Sequence, residues 1–519
     1  MKGSLNPEAD EPRRLIDIAR RTASEHPDRI VLSFEGRDIS YKDLLVQVDD
    51  FVAVLHGAGV RAGDRIAHYG LLEPNYMITY LAAGEIGAIW VGLNPKYTER
   101  ELRHVLGDSE PCVILAAFSS QQDHTPLASA VSELPNACLI ALSGRCVGWT
   151  PVEDRQRASV DAGMSGNADL AAIVYTSGTT GAPKGALLRH SSIVHAGKTY
   201  HSQVFRGPRE KVPYFLAGGM PINHVGVLCD ITATVLCAEG AVLLMEQFEP
   251  NRIPHLIEKH GITLLGMVPT MWRHVVDAPE FKDVDWSSLE VAAWSGAPMP
   301  MSIAQTLHSM GFQLSNFYGL TEATGSVTFC DPNGDLDHIV NTVGYPVELD
   351  NFRLWDDGAS VTEPGAPGEI QLRGPLLFAG YFRNDEANAK SFVDGEWFRT
   401  GDIAEWTDDG SVKLIGRSKE MFKSGGYNVY PREVEEVIEE HPLVAQSVVI
   451  PQKDDLYTEV GCAFVIRSEP LDEQILRAWC KERLANYKVP KRFIFRSDFP
   501  MLPSGKADKS ALKALLQSP

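Results

Sequence analysis

The sequence lacks the cysteine pattern of a disulfide framework or of a structural zinc site. Its eight cysteines are scattered over 519 residues, and no two of them form a Cys-x-x-Cys pair. Closely spaced cysteines are typical of secreted disulfide-rich domains and of zinc modules. We therefore expect free, mostly buried thiols and a reducing compartment.

The sequence also lacks a long uninterrupted hydrophobic run. Its most apolar stretch, residues 225–245, contains Asp230 and Glu239, and the first residues, MKGSLNPEADEPRR, have no apolar core. A membrane-spanning helix needs about 20 mainly apolar residues, and a signal peptide needs a shorter apolar segment. We expect no transmembrane segment, no signal peptide and a cytoplasmic location.

Basic residues are in the minority. The chain has 48 Lys and Arg against 68 Asp and Glu, which gives a net charge of −20. An acidic surface repels the phosphate backbone at long range, so nucleic acid is not an expected partner. Residues 417–519 carry a net charge of +1 and residues 1–416 carry −21, which suggests two units with different roles.

The residues that are present suit large globular cores. Hydrophobic residues make up 44% of the chain, and its length allows about three domain-sized units. Strand-like apolar runs alternate with helical patterns; in one of them Ile253, Leu256, Ile257 and His260 recur at helical spacing before a short apolar strand. Such alternation predicts an α/β fold with parallel sheets covered by helices.

Two later segments have different patterns. The turn-rich stretches EPGAPGEIQLRGP, DGEWFRTGD and DDGSVKLIGR predict a small β subdomain. After GRSKE the pattern indicates a compact α+β module, with a helix that begins at Pro431 and presents Val434, Val437 and Ile438 on one face. We place the domain boundary near Gly416, between an N-terminal domain (1–416) and a C-terminal domain (417–519).

The stretch Tyr175 to Gly185, YTSGTTGAPKG, indicates a phosphate-binding loop. Its glycines let backbone amides approach anionic oxygens, its hydroxyl groups donate hydrogen bonds, and Lys184 supplies a positive charge. It is not a Walker A loop, because Lys184 lies between Pro183 and Gly185 rather than between Gly and Ser or Thr. On composition alone, a flexible surface turn remains the alternative.

YTSGTTGAPKG closely resembles the signature loop of the adenylate-forming superfamily, which includes acyl-CoA synthetases, adenylation domains of peptide synthetases and firefly-type luciferases. Five further motifs follow in that superfamily's order: SGAP (295–298), FYGLTE (317–322), RTGD (399–402), GRSKEMFKSGGYNVYPREVE (416–435) and PSGKADK (503–509). The resemblance spans essentially the whole chain and is greatest to AMP-forming acyl-CoA synthetases. It implies a large N-terminal domain with a small mobile C-terminal domain, and an active site between them.

The resemblance also implies the reaction and its small molecules. A carboxylate attacks the α-phosphorus of ATP, pyrophosphate leaves, and the thiol of coenzyme A attacks the acyl adenylate. ATP, Mg²⁺ and coenzyme A are the expected cofactor and cosubstrates. Charge builds on oxygen atoms in both steps, so we expect catalysis mainly by positioning and electrostatics.

By resemblance, most of the expected site residues bind the nucleotide. The phosphates would be held by Thr176, Ser177, Gly178, Thr179, Thr180 and Lys184. Around the adenine and in the neighbouring motif, the nucleotide site would contain Gly296, Ala297, Pro298, Tyr318 and Gly319. Thr321 would contact the α-phosphate, Glu322 would hold Mg²⁺, and Asp402 and Arg417 would bind the ribose.

The remaining roles concern catalysis, movement and the acyl group. Lys506 would bridge the carboxylate and the α-phosphate, acting in catalysis with Glu322, Thr176 and His224. Lys419 matches the hinge. Gly425 and Gly426 would line the pantetheine path. The acyl pocket would be lined by His224, Val225, Gly226, Trp294 and Phe317.

Taken alone, several of these residues have a structural explanation. Asp402 suits a turn, Arg417 and Lys506 suit a solvated surface, His224 suits a structural position between apolar residues, and the Gly425–Gly426 pair suits a plain strand turn. The motif context favours the functional roles.

Alternative functions also remain. One is an adenylating enzyme that loads a carrier protein, and another is a catalytically inactive nucleotide-binding relative; luciferase-type oxidation uses the same adenylation site. The absence of an appended carrier domain favours coenzyme A. No clear partner for an α-amino group appears, which favours a hydrophobic carboxylic acid without an amino group. The sequence does not determine which acid this is, or the oligomeric state, for which a homodimer is one possibility.

Overall fold

A computed structural model describes residues 12–119, 122–158, 169–176, 183–205, 212–425, 427–454, 456–502 and 507–517. Along these residues, helices and short parallel strands alternate up to about residue 346, and antiparallel strands predominate from there on. The α/β fold class predicted from the sequence is confirmed.

The first part of the chain forms these elements: α1 (Leu15–Glu25), β1 (Ile30–Phe34), β2 (Arg37–Ser40), α2 (Tyr41–Gly57), β3 (Arg65–Tyr69), α3 (Pro74–Ile86), β4 (Ile89–Leu93), α4 (Glu99–Ser109), β5 (Val113–Ala117), α5 (Thr125–Val131), β6 (Cys138–Ser143), β7 (Thr150–Pro151), β8 (Leu170–Thr176) and β9 (Lys184–Arg189). Strands β3 to β9 build a seven-stranded sheet in the order β7-β6-β5-β3-β4-β8-β9. Among the strands that the structure describes in this sheet, β9 alone is antiparallel to its neighbour.

The next part contains α6 (His190–Val204), β10 (Tyr214–Gly218), a π-helix (Gly226–Ala233), α7 (Thr234–Cys237), β11 (Ala241–Met245), α8 (Ile253–His260), β12 (Leu264–Met267), α9 (Pro269–Val276), β13 (Val291–Ser295), α10 (Met301–Ser309), β14 (Gln313–Leu320), β15 (Gly325–Phe329), α11 (Leu336–Asn341) and β16 (Tyr345–Pro346). These strands and the first hairpin form a nine-stranded sheet in the order β16-β15-β14-β13-β12-β10-β11-β1-β2. The helix expected from Ile253 to His260 and the strand after it are confirmed.

The two sheets alternate with three layers of helices. The largest buried cluster lies between the sheets and includes α1, α2, α3, α6, α7 and the π-helix. Helices α8 to α11 cover the outer face of the nine-stranded sheet, and α4 and α5 cover the outer face of the seven-stranded sheet. Full burial of each large aliphatic side chain contributes roughly 1.5–3 kcal/mol, so these three cores hold the sheets in fixed positions.

A third, antiparallel sheet follows, as the turn-rich sequence predicted. It contains β17 (Phe352–Asp356), β18 (Ala359–Ser360), β19 (Pro367–Leu372), β20 (Phe392–Val393), β21 (Trp397–Trp406) and β22 (Val412–Arg417), with helix α12 (Asp385–Ser391). Strand β22 pairs with β21, so this sheet extends to Arg417.

The last unit is a five-stranded sheet with three helices. Its elements are β23 (Phe422–Ser424), β24 (Tyr427–Val429), α13 (Pro431–Glu439), β25 (Val444–Asp454), β26 (Thr458–Arg467), α14 (Glu473–Arg483), β27 (Arg492–Arg496) and α15 (Lys509–Gln517). The predicted α13 is confirmed: it begins at Pro431, and Val434 and Ile438 are fully buried. In α14 the buried face carries Leu476 and Cys480, whereas Ile475 is 56% exposed.

Candidate functional site

The carboxyl ends of the central strands of the nine-stranded sheet meet at one edge. Strands β10 to β14 are parallel, so the segments that follow them leave the sheet on the same side. The segment after β13 is Gly296–Pro298, which is exposed, and the residues after β14 are Thr321 and Glu322. Ligands of open α/β sheets bind at this edge.

The expected phosphate loop leaves the seven-stranded sheet between β8 and β9. Thr176 ends β8, and it faces Lys184, the first residue of β9, across the antiparallel pair. The Thr176 hydroxyl group donates to the Lys184 carbonyl at 3.4 Å. A Cβ atom on Gly185 would lie 2.7 Å from the Ile173 side chain, so only glycine allows this approach. Ser177, Gly178, Thr179 and Thr180 lie outside the described residues.

Tyr381, which no motif identified in the sequence, joins the phosphate loop to the expected metal ligand. The Lys184 ammonium group lies 4.8 Å from the centre of the Tyr381 ring. The Tyr381 hydroxyl group donates a 2.7 Å hydrogen bond to Glu322 Oε1. Burial and the Glu322 carboxylate raise the pKa of Tyr381, so its hydroxyl group stays protonated as a donor.

The backbone around Tyr381 explains this placement. The Leu187 amide donates to the Gly380 carbonyl, the Phe382 amide donates to the Gly185 carbonyl, and the Phe378 amide donates to the Glu322 carbonyl. Residues 378–382 therefore bridge β9 and the segment that follows β14. In this position the Tyr381 side chain contacts both Lys184 and Glu322.

The residues present fit Mg²⁺ bound mainly by phosphate oxygens. Mg²⁺ takes one or two carboxylates and completes its shell with water and phosphate. Glu322 is half-buried and offers one carboxylate, whose Oε1 accepts a hydrogen bond from Tyr381. The part of the chain that the structure describes contains no group of three or more His, Cys, Asp or Glu residues suited to a metal.

The second cluster consists of Tyr318, Asp402 and Arg417. Asp402 is 6% exposed, and its Oδ2 accepts a 2.7 Å hydrogen bond from the Tyr318 hydroxyl group. Arg417 Nε lies 2.9 Å from Asp402 Oδ1. Asp402 raises the pKa of Arg417, and burial together with Asp402 raises the pKa of Tyr318 well above its usual value. Each carboxylate oxygen keeps a second lone pair for a further donor.

His224 lies beside the π-helix, and its ring is exposed. The Gly226 amide donates to His224 Nδ1 at 3.0 Å, which leaves Nε2 as the protonated nitrogen of the neutral ring. A Cβ atom on Gly226 would lie 3.1 Å from Met220. Val225 and Phe317 are both buried in the core between the sheets.

Trp294 does not join this group. Successive side chains of a strand point to opposite faces. Ala293 therefore packs into the core between the sheets, whereas Trp294 packs into the core on the outer face with α8 to α11. The structure thus separates Trp294 from Val225 and Phe317.

The expected hinge and pantetheine residues lie at the start of the last unit. Lys419 is exposed in the turn between β22 and β23. The next residue, Glu420, accepts a 2.6 Å hydrogen bond from Lys509 Nζ at the start of α15. Gly425 is exposed at the end of β23, and its amide donates to the Tyr457 carbonyl. Gly426 and Lys506 lie outside the described residues.

Comparisons with known proteins identify the family of the chain. The sequence profile of the AMP-binding enzyme family matches residues 19–382, and the profile of the AMP-binding enzyme C-terminal domain matches residues 433–506. A feruloyl-CoA synthase from Amycolatopsis sp is 32% identical over 496 residues, which cover 95% of this chain and 97% of that protein. An indoleacetate–CoA ligase from Aromatoleum aromaticum is 30% identical over 504 residues, which cover 96% and 97%.

Solved structures are similar over the same length. ATP-bound MatB from Rhodopseudomonas palustris has a TM-score of 0.86 at 27% identity, and the match covers 97% of this chain and 99% of MatB. The amide bond synthetase McbA from Marinactinospora thermotolerans has a TM-score of 0.85 at 25% identity, with the same coverage. No helix in the described part of the chain is both long and apolar enough to cross a bilayer.

Proposed function

The chain belongs to the AMP-binding enzyme family, and from this premise we propose that it is an AMP-forming carboxylic acid:CoA ligase. It converts a hydrophobic, non-amino carboxylic acid and ATP to an acyl adenylate and pyrophosphate. It then transfers the acyl group to coenzyme A and releases AMP. ATP and coenzyme A as cosubstrates favour a cytoplasmic location.

The arrangement of Lys184, Tyr381 and Glu322 carries this proposal. One tyrosine contacts both a cation at the start of β9 and a carboxylate after β14. A triphosphate between these strands would meet the ammonium group of Lys184 on one side and Mg²⁺ on the Glu322 carboxylate on the other. Mg²⁺ supplies positive charge that stabilises negative oxygens of the phosphates.

The Tyr318, Asp402 and Arg417 cluster supports the nucleotide site. Gly296, Ala297, Pro298 and Gly319 leave an exposed backbone surface for a planar base beside Tyr318. The remaining lone pairs of the Asp402 carboxylate suit the hydroxyl groups of a ribose, as does the guanidinium group of Arg417.

In the first half-reaction a substrate carboxylate oxygen forms a bond to the α-phosphorus. The bond from that phosphorus to the β-phosphate bridging oxygen breaks, and pyrophosphate takes the electron pair. Thr176, Ser177, Gly178, Thr179, Thr180 and Lys184 hold the phosphates. Thr321 and Lys506 stabilise the charge at the α-phosphate. One such donor increases the rate by about 10²–10³.

In the second half-reaction the thiol of coenzyme A loses its proton to solvent and its sulfur forms a bond to the acyl carbonyl carbon. The bond from that carbon to the phosphate-linked oxygen breaks, and AMP leaves with this oxygen and the electron pair. We propose that residues 417–519 pivot at Lys419 relative to residues 1–416 between the two steps. The pivot removes Lys506 and brings Gly425 and Gly426 to the pantetheine arm. Conformational steps of this kind complete many active sites.

The proposed acyl pocket lies beside His224, Val225, Gly226 and Phe317. Its described walls are mostly apolar, which favours a hydrophobic acid over acetate. The named activities of the relatives, feruloyl-CoA synthase and indoleacetate–CoA ligase, favour an aryl-bearing acid. The similarity to an amide bond synthetase supports a second candidate, in which an amine rather than coenzyme A takes the acyl group.

A pyrophosphate-release screen tests the proposal. The purified protein is given ATP and Mg²⁺ with acetate, an α-amino acid, a medium-chain acid or an aryl acid, with and without coenzyme A. We expect the greatest specificity constants for the medium-chain or aryl acid, and faster turnover with coenzyme A. A preference for acetate or for the amino acid would contradict the proposed substrate class, and turnover that responds to amines but not to coenzyme A would favour the second candidate.

A further inference from the structure

Asp230 is a partly buried acidic group that the proposed reaction does not use. It lies on the π-helix four residues after Gly226, about one helical turn along the same face. Its Oδ1 accepts a 3.3 Å hydrogen bond from the Ser326 hydroxyl group. A Cβ atom on Gly325 would lie 2.7 Å from the same oxygen, so glycine at 325 makes room for the carboxyl group.

The carboxyl group of Asp230 has apolar and aromatic neighbours. Burial, and after it the charge of Asp230, raises the pKa of Tyr200, whose ring lies 5.2 Å from that of Phe317. Cys229, the preceding residue, is fully buried. Among the described residues, no Lys, Arg or His forms an ion pair with Asp230, and burial raises the pKa of Asp230 to about 7.

Asp230 lies close to the segments expected to surround the acyl group. On one side the π-helix continues directly from His224 and Val225. On the other side Gly325 pairs with Leu320, which immediately precedes Thr321 and Glu322. The carboxyl group therefore lies between the proposed acyl pocket and the FYGLTE strand.

A carboxyl group at this position lowers the stability of the fold, which suggests that it is kept for a function. Burial of a polar group without a full set of hydrogen bonds costs free energy, and an aliphatic side chain would suit these neighbours better. A carboxyl group offers four acceptor positions, and Ser326 is its hydrogen-bond partner among the described side chains. Asp230 would thus give the wall of the proposed acyl pocket one strong acceptor among mainly apolar side chains.

We propose that Asp230 is a specificity-determining residue that accepts a hydrogen bond from a hydroxyl group on the hydrophobic acyl chain. The inference rests on the proposed function and narrows its substrate class to hydroxylated hydrophobic acids. A hydroxyl group has one donor, which one carboxyl oxygen satisfies. An ammonium group has three donors and a full charge, and these mainly apolar surroundings would leave some of its donors without an acceptor.

Matched pairs of acids that differ by one hydroxyl group test this role. We choose cinnamate with 4-hydroxycinnamate, octanoate with 8-hydroxyoctanoate, and 3-phenylpropanoate with its 4-hydroxy derivative. For each pair, kcat/KM of pyrophosphate release gives the ratio of hydroxylated acid to parent acid. The assays are run at pH 8, where the Asp230 carboxyl group is mostly ionised, and a hydrogen bond to a charged group changes this ratio by about 10- to 100-fold.

We expect the wild-type protein to prefer the hydroxylated acid in at least one pair by that factor. Asp230→Leu should reduce the ratio to 1 or below, and Asp230→Asn should give an intermediate ratio, because its amide is a weaker acceptor of the same shape. The exposed Asp408→Asn is the control and should leave the ratio unchanged. A purely structural role for Asp230 would lower kcat/KM for both members of a pair without changing their ratio.

A wild-type ratio near 1 for every pair, or a preference that survives both substitutions, would overturn the inference. If Asp230→Leu does not fold, Asp230→Asn still decides the outcome. Failure of the proposed function is distinguishable, because the wild-type protein would then release no pyrophosphate with any acid. An amino-substituted cinnamate preferred over the hydroxylated one would identify an amine instead and would also overturn the hydroxyl assignment.

Discussion

The Tyr381 hydroxyl group lies 2.7 Å from Glu322 Oε1, and the Tyr381 ring lies under the Lys184 ammonium group. Tyr381 lies 59 residues after Glu322 and 197 residues after Lys184 along the chain. The pairing of residues 378–382 with β9 brings the three residues together. Tyr381 therefore positions the proposed metal ligand relative to the proposed phosphate loop.

Tyr381→Phe should slow adenylation about 10-fold, because it removes a hydrogen bond to a charged group but keeps the ring beneath Lys184. The measurement is pyrophosphate release at saturating ATP over a range of Mg²⁺ concentrations. Glu322→Gln, which keeps the shape and removes the charge, should raise the half-saturating Mg²⁺ concentration by more than Tyr381→Phe does. Wild-type Mg²⁺ dependence in Glu322→Gln would place the metal elsewhere.

Lys506→Ala should lower the rate of adenylate formation by about 10²–10³, because one preorganised donor at the α-phosphate is lost. Transfer from synthetic acyl adenylate to coenzyme A should change much less, since the proposed pivot removes Lys506 before that step. Lys513→Ala in the exposed face of α15 is the matched control. Adenylation at the wild-type rate in Lys506→Ala would refute the catalytic assignment.

Lys419→Pro should block transfer to coenzyme A while adenylation continues, because proline fixes φ at the pivot and restricts the preceding residue. Lys419 is exposed, so the substitution removes no buried contact. Lys419→Ala keeps the torsion free and should support both steps. The two half-reactions are measured separately, and equal loss of both in Lys419→Pro would argue against a hinge.

Asp230→Asn should stabilise the protein more at pH 8 than at pH 5. The folded-state pKa of Asp230 is about 7, above the value of 3.8 for an unburied aspartate, so the wild-type protein loses stability as the pH rises through this range. The asparagine does not titrate, so its stabilising effect relative to wild type should grow by about 3 kcal/mol between pH 5 and pH 8. Denaturation midpoints of both proteins at the two pH values check this, and a difference that does not change with pH would contradict it.

The sequence predicted those parts of the fold that depend on local patterns. The helical spacing of Ile253 and Ile257 gave the correct helix, and Pro431 marked the correct start of α13. The apolar run from Val225 also forms a helix, and this helix is buried on nearly all sides. Because such a segment has no polar face, its helical period cannot be recognised in the sequence.

The site could be predicted only as far as its motifs extend. Tyr318, Asp402 and Arg417 lie in three separate motifs, and the structure brings them into contact. Tyr381 lies outside the motifs, and its role depends on pairing between segments almost 200 residues apart. The face of the sheet to which the Trp294 side chain points depends on the register of β13. The position of Trp294 next to the SGAP motif does not determine that register.

The most direct test of the account is the product stoichiometry of one complete reaction. The purified protein is incubated with ATP, Mg²⁺, coenzyme A and the best acid of the screen, and the products are quantified by mass spectrometry. We predict AMP, pyrophosphate and acyl-CoA in equal amounts, with acyl adenylate accumulating when coenzyme A is omitted. Formation of ADP and phosphate, or of AMP without acyl-CoA, would contradict an AMP-forming carboxylic acid:CoA ligase.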